Sequence, residues 1–214
     1  MWESAYRRET DDTIRRRLRV AVALFLCVVG ITVLLEPVFH PERGHVLRDN
    51  YVLELIVCGV GLAASGGRRV RPGTVAVAAV LCATLALLMI RYNVEAGGQA
   101  ERCAMFQLCL LSGVVVLLPW GWIAQLAVAL ASFGGFVAAA PHLAASDALV
   151  YPALALATGA STSVLGAYFL DRYRRDAFIR TALLSEASAR KEEEAEAAAA
   201  LFHIAEALNA QLEQ

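Results

Sequence analysis

The chain has 214 residues, of which 58% are hydrophobic, and its formal net charge is −1 at pH 7. A soluble domain of this size is about half apolar and spreads its charges along the chain. Here the charges gather at the two ends and in short gaps between apolar runs. This pattern excludes an ordinary soluble domain and predicts an integral membrane protein whose first partner is the lipid bilayer.

Six apolar stretches follow one another, with lengths close to what a helix needs to cross a bilayer. They cover residues 18–39, 51–65, 74–90, 103–118, 123–140 and 151–170. The tail from Asp176 onward is charged and alanine-rich and contains no glycine or proline, a composition that favours helix. The predicted fold is therefore all-α, an integral membrane six-helix bundle followed by a long cytoplasmic helix that acts as a coiled-coil stalk.

These features predict three parts. Residues 1–17 form a cytoplasmic N-terminal segment, which we expect to be a short helix at the membrane surface. Residues 18–171 form the membrane region with its six helices. Residues 172–214 form a cytoplasmic signalling helix that leads to an output domain missing from this sequence.

Arginines near the membrane are concentrated on one side of the predicted bundle. That side carries Arg7, Arg8, Arg15, Arg16, Arg17, Arg19, Arg68, Arg69, Arg71, Arg172, Arg174 and Arg175. The other side carries only Arg43, Arg48, Arg91 and Arg102. The positive-inside rule then places both termini in the cytoplasm.

Apolar residues in the tail recur at alternating four- and three-residue spacing, which is typical of a coiled-coil seam. Arg190 and Glu194 interrupt the stripe in its middle. A second copy of the chain is the expected partner, giving a homodimer, and the alternative is a lone surface helix. The predicted dimer stalk consists of Leu183, Ala197, Leu201, Ile204 and Leu208.

Glu54 is the one clear carboxylate inside an apolar stretch. Such a group is costly in lipid unless it is paired or hydrated. We therefore expect Glu54 to pair with Arg91 or Arg102 and to serve as an intramembrane switch, the alternative being an interfacial residue that reaches headgroup water. Gln107 and Gln125 also lie inside apolar stretches, and we expect both amides to bond between helices.

Small residues at four-residue spacing mark the sixth stretch. Gly159 and Ser163 form one such pair, and Thr162 and Gly166 form another. Pairs of this kind let two helices approach closely. They predict either packing within the chain or a dimer face that continues into the stalk.

His40, His45 and His142 fall in predicted loops on the outer side and are candidate metal ligands or pH sensors. Their spacing matches no metal motif, so loop residues facing water are the alternative. The sequence contains no P-loop, GxSxG, HExxH or nucleotide-cyclase signature and no basic-aromatic pattern for nucleic acid. We therefore predict no catalytic residue, no cofactor and no nucleic-acid partner for this chain.

The tail ends in LFHIAEALNAQLEQ, which resembles the linker helix that opens a GAF domain in bacterial sensor histidine kinases. The preceding block, with short loops and the basic exit DRYRRDAF, is similar to membrane input regions of bacterial sensor kinases and membrane cyclases. The resemblance implies a sensor in the inner membrane of a bacterial cell that acts in two-component signal transduction. Its expected partner is a cytoplasmic kinase or response regulator. Any kinase activity would belong to the missing C-terminal region. The competing hypothesis is a small multi-pass transporter or channel subunit.

Overall fold

A computed structural model describes residues 2–39, 44–66, 73–144 and 149–212, which contain no β-strand beyond an isolated bridge between Gln99 and Ala144. Within these residues the prediction of an all-α fold is confirmed. A 3-10 turn, Ala140–His142, follows the fifth helix. The helices are α1 (Trp2–Phe39), α2 (Gly44–Gly66), α3 (Thr74–Glu95), α4 (Ala100–Leu117), α5 (Trp122–Ala139) and α6 (Val150–Leu212).

Five of the described helices, namely α1, α3, α4, α5 and α6, are long and apolar enough to cross a membrane. They correspond to five of the six predicted stretches. The helix α2 is not in this set although it has 23 residues, and its first half carries Asp49, Asn50 and Glu54. The predicted span over residues 51–65 therefore stays a prediction.

Two helices are longer than the sequence analysis predicted. The N-terminal segment does not form a separate surface helix, because α1 runs unbroken from Trp2 to Phe39. Residues 2–29 contain no glycine or proline, so nothing in the chain terminates the helix before the apolar stretch begins. The helix α6 runs from Val150 to Leu212 and so continues from the apolar stretch into the charged tail, and the chain has no glycine or proline after Gly166.

The chain divides into two compact units, with the boundary between Asp171 and Arg172. The first unit contains α1 to α5 and the apolar part of α6. Its buried cluster draws residues from all six helices, among them Leu18, Cys58, Leu85, Val128 and Leu156. The second unit is the charged part of α6, a single helix.

The helix α3 packs against α2, α4 and α5 and lies at the centre of the first unit. Small residues allow this close packing. A Cβ added at Gly135 of α5 would lie 2.7 Å from Cδ2 of Leu87 and 2.9 Å from Cδ1 of Ile90, both on α3. A Cβ added at Gly61 of α2 would similarly lie 2.8 Å from Cδ2 of Leu81.

The first unit has buried polar side chains in its core and many large apolar side chains on its outside. Among the described residues, seven polar side chains are at most 3% exposed, namely Asn50, Glu54, Thr74, Asn93, Gln107, Gln125 and Ser132. Large apolar side chains such as Leu34, Val60 and Val80 are 64–77% exposed on the outside. An apolar exterior of this extent is consistent with a lipid bilayer around the first unit.

Candidate functional site

Buried polar groups are the natural place to look for function in a bundle of this kind, because each must find a partner or carry a cost. Two groups of these buried polar side chains are given names below. We call Asn50 and Glu54 the carboxylate site. We call Trp120, Gln125 and Ser163, together with the carbonyl of Leu111, the Gln125 node.

The carboxylate site lies on the buried face of α2. Glu54 is 3% exposed and Asn50 is fully buried. The Nδ2 atom of Asn50 donates a hydrogen bond of 2.9 Å to Oε1 of Glu54, one helical turn away. The Oδ1 atom of Asn50 is buried and has no hydrogen-bond partner among the described residues. The site therefore holds a carboxylate and a spare amide acceptor side by side.

Aromatic packing adjoins the carboxylate site. The ring of Tyr51, the residue after Asn50, lies 5.8 Å from the ring of Tyr92 on α3, at an interplanar angle of 43°. Tyr51 also belongs to a small buried cluster with Val29 of α1 and Ala96. Three helices thus meet beside the buried carboxylate.

The partner of Glu54 differs from the predicted one. Arg91 donates through Nε to Oε1 of Glu95 at 2.7 Å, and Arg102 is exposed at the start of α4. Arg91 pairs locally because residues four apart share one face of a helix. Asn50 was not among the predicted partners of Glu54, which were cations on other helices. Asn50 and Glu54 are nevertheless four residues apart, as Arg91 and Glu95 are.

We expect Glu54→Gln to change the free energy of unfolding by about 1 kcal/mol or less, because the Gln oxygen can still accept from Asn50. Glu54→Leu should cost about 1–3 kcal/mol, because it leaves a buried amide donor unpaired. Chemical unfolding in detergent measures both values. Equal losses for the two variants would contradict the Asn50 pairing and indicate that the charge itself is required.

The histidines give no metal centre within the described part of the chain. No group of three or more His, Cys, Asp or Glu side chains there is placed to hold a metal ion. His142 is exposed in the 3-10 turn. His40 and the side chain of His45 lie outside the described residues, so the metal hypothesis stays a prediction.

The Gln125 node joins three helices through one fully buried amide. The indole N–H of Trp120 donates to Oε1 of Gln125 at 2.9 Å. The Nε2 atom of Gln125 donates to the carbonyl of Leu111 on α4 at 3.3 Å and to Oγ of Ser163 on α6 at 3.2 Å. Ser163 in turn donates to the carbonyl of Ala160 at 2.8 Å. Both donors of the amide and its oxygen are therefore used.

Gln107 forms a second interhelical bond, from its Nε2 to the carbonyl of Ala86 on α3 at 3.0 Å. The prediction that Gln107 and Gln125 bond between helices is therefore confirmed. Gln107 is less fully bonded than Gln125, because its Oε1 is buried without a partner among the described residues.

The small residues of α6 pack within the chain. An added Cβ at Gly159 would clash with the side chain of Leu108 on α4. Ser163, one turn later, bonds to Gln125. Of the two predicted uses of this pair, packing within the chain is the one that the structure shows.

One long-range bond also ties the beginning of the chain to α6. The hydroxyl of Tyr6 on α1 donates to Oδ1 of Asp171 at 2.9 Å. Asp171 is the last α6 residue of the first unit. The apolar part of α6 is thus bonded near its end to α1 and, about two turns earlier, to α5.

The predicted stalk residues lie on the second unit. Leu183 is 54% exposed and Leu201 is 68% exposed, while the side chains of Ile204 and Leu208 lie outside the described residues. Arg190, which interrupts the stripe, donates to Oε1 of Glu186 at 3.3 Å. Ala197 is exposed as well. The described stripe therefore presents apolar side chains that a single chain leaves uncovered.

Comparison with protein-family models, with curated proteins and with solved structures finds no match to this chain.

Proposed function

We propose that the protein is a multi-pass membrane input module of a bacterial two-component system. A signal at the outer loops or in the bilayer shifts α6, and a coiled coil formed by the charged part of α6 passes the shift to a cytoplasmic output domain. The observation that carries this proposal is the continuity of α6, which has no helix break between Ser163 and Leu212. A shift of the membrane part of α6 would reach the output domain through the charged part of the same helix.

The Gln125 node supports the same route. Ser163 bonds to Gln125, so a rearrangement of α4 or α5 changes the contacts of α6 directly. Two discrete arrangements of such a bonded element are the usual basis of a switch. The carboxylate site supplies a second buried polar group that a signal can act on.

The proposal includes the orientation of the chain in the membrane and the number of its membrane-spanning helices. The arginine distribution favours both termini in the cytoplasm of a bacterial cell, and an even number of spans is needed for that arrangement. The helix α2 has 23 residues, long enough to serve as the sixth span. Its carboxylate is accommodated because Glu54 is buried against the bundle.

Homodimerisation follows from the uncovered stripe on the second unit. Leu183 and Leu201 are exposed, and the four-three spacing of the stripe is self-complementary in a parallel pair. Each large side chain buried there stabilises the pair by roughly 1.5–3 kcal/mol. The interruption at Arg190 weakens the isolated stalk, so the membrane region is needed to bring the helices together.

Cysteine crosslinking in native membranes tests the stalk. In a chain without its native cysteines, Leu201→Cys and Leu208→Cys should crosslink efficiently between copies, because both positions lie on the stripe. The matched variants Ala199→Cys and Glu206→Cys lie off the stripe and should crosslink poorly. The measurement is the fraction of dimer on a non-reducing gel.

Equal crosslinking at all four positions, or none at any, would contradict the stalk. Reporter fusions in the same membranes serve as the orientation control. Fusions at Ala96 and Ala145 should report the periplasm, and fusions at Gly67 and Gln214 the cytoplasm. A periplasmic signal at Gln214 would remove the sensor proposal altogether.

A small transporter or channel subunit is the second candidate, and the carboxylate site favours it. Buried ionisable groups in membrane helices often mark ion pathways, and Glu54 is such a group. Deletion of residues 172–214 separates the two candidates, because it abolishes output from a sensor and leaves transport by the bundle intact.

A further inference from the structure

A polar cavity of 920 Å³ lies between the first turns of α1 and the beginning of α3. Three arginines line it, Arg7, Arg8 and Arg15, together with Tyr6 and Thr10. Gly73 and Val75 form the α3 side. This cavity belongs neither to the carboxylate site nor to the Gln125 node.

The cavity lies at the level where the polar residues end and the apolar stretches of α1 and α3 begin. On α1 the apolar stretch begins at Leu18, which is 1% exposed. On α3 it begins at Thr74, whose Oγ1 accepts a bond of 3.3 Å from Nε of Arg15. Beyond this level α1 presents exposed apolar side chains such as Val20 and Leu24. In a bilayer this boundary coincides with the layer of lipid headgroups.

The charge of the lining is mixed, with a cationic excess. The lining contains these three arginines and two aspartates, Asp11 and Asp12. Arg7 and Arg8 are exposed, so their donors can reach a ligand from the membrane surface, although Arg7 also contacts Glu3 at 3.2 Å. Guanidinium groups suit phosphate through paired N–H donors, and carboxylates accept bonds from hydroxyls.

We propose that this cavity binds the phosphodiester headgroup of an anionic phospholipid, with a hydroxylated headgroup such as glycerol facing the two aspartates. The acyl chains then lie along the apolar surface of α1. Basic pockets between membrane helices bind anionic headgroups in this way. The proposal concerns binding alone and does not rest on the signalling function.

Native mass spectrometry of the full-length chain in detergent tests the site. Dioleoyl phosphatidylglycerol should remain bound to the protein in preference to the corresponding phosphatidylcholine and phosphatidylethanolamine. Arg7→Gln combined with Arg8→Gln should lower the affinity for phosphatidylglycerol by about tenfold. Both residues are exposed, and Arg15 with its bond to Thr74 stays intact, so the fold is preserved.

The matched control combines Arg16→Gln with Arg17→Gln. This pair removes the same charge from two adjacent exposed residues of the same helix that do not line the cavity, and the affinity should fall by less than about twofold. An equal loss in the two double variants would overturn the proposal, because it would show general attraction to the basic segment. Equal retention of the three lipids, or complete displacement of phosphatidylglycerol by millimolar inorganic phosphate, would overturn it as well.

Discussion

Gln125→Met should lower the free energy of unfolding by about 1–3 kcal/mol, because it leaves the buried indole N–H of Trp120 without an acceptor. Methionine has nearly the volume of glutamine, so the loss reports hydrogen bonding and not a cavity. Ser163 keeps its bond to the carbonyl of Ala160. Chemical unfolding in detergent gives the free energy, and fluorescence of Trp120 reports the local change.

A double-mutant cycle separates the parts of the node. Trp120→Phe in the Gln125→Met background removes both partners of one bond, so its further cost should be that of the cavity left by the smaller ring and not of an unpaired donor. The coupling between Gln125→Met and Ser163→Ala should be about 0.6–1.7 kcal/mol, the range for bonds between membrane helices. Ser161→Ala is the control, since its exposed hydroxyl bonds only to Ala157 in the described structure. Zero coupling between Gln125 and Ser163 would show that the node does not hold α6.

Local pattern predicted the helices well and their ends poorly. Apolar length identified the stretch beginning at residue 18, and the structure extends that helix back to Trp2. The change from polar to apolar sequence at residue 18 predicts a boundary between two elements, and the structure has none there. Helix continuity depends instead on glycine, proline and capping residues, and residues 2–29 contain no glycine or proline.

The polar partners show what a single sequence cannot supply. Helical spacing alone could have predicted Asn50 as a partner, because it lies four residues from Glu54. The bond from Tyr6 to Asp171 joins residues 165 positions apart. The bond from Gln125 to Ser163 likewise depends on which faces of α5 and α6 meet. Periodicity shows which residues share a helix face, but it does not show which two faces come together.

Gly135→Val should destabilise the bundle by about 1–3 kcal/mol through overpacking. Gly135 lies on α5 against α3, and its added Cβ would come within 2.7 Å of Leu87 and 2.9 Å of Ile90. Ile90 is 4% exposed and has little room to move. The two helices must therefore separate or their side chains must leave preferred rotamers. Thermal or chemical unfolding in detergent measures the loss.

Gly134→Val is the matched control, because it makes the same change one residue earlier on the same helix. A Cβ at Gly134 meets no atom within 4 Å, so this side of α5 faces outward. Both variants replace glycine with a β-branched residue, whose effect on helix propensity is a few tenths of a kcal/mol and is shared by the pair. We therefore expect Gly134→Val to change stability by about 0.5 kcal/mol or less. Similar losses for the two variants would place the contact between α3 and α5 elsewhere and would contradict the central position of α3.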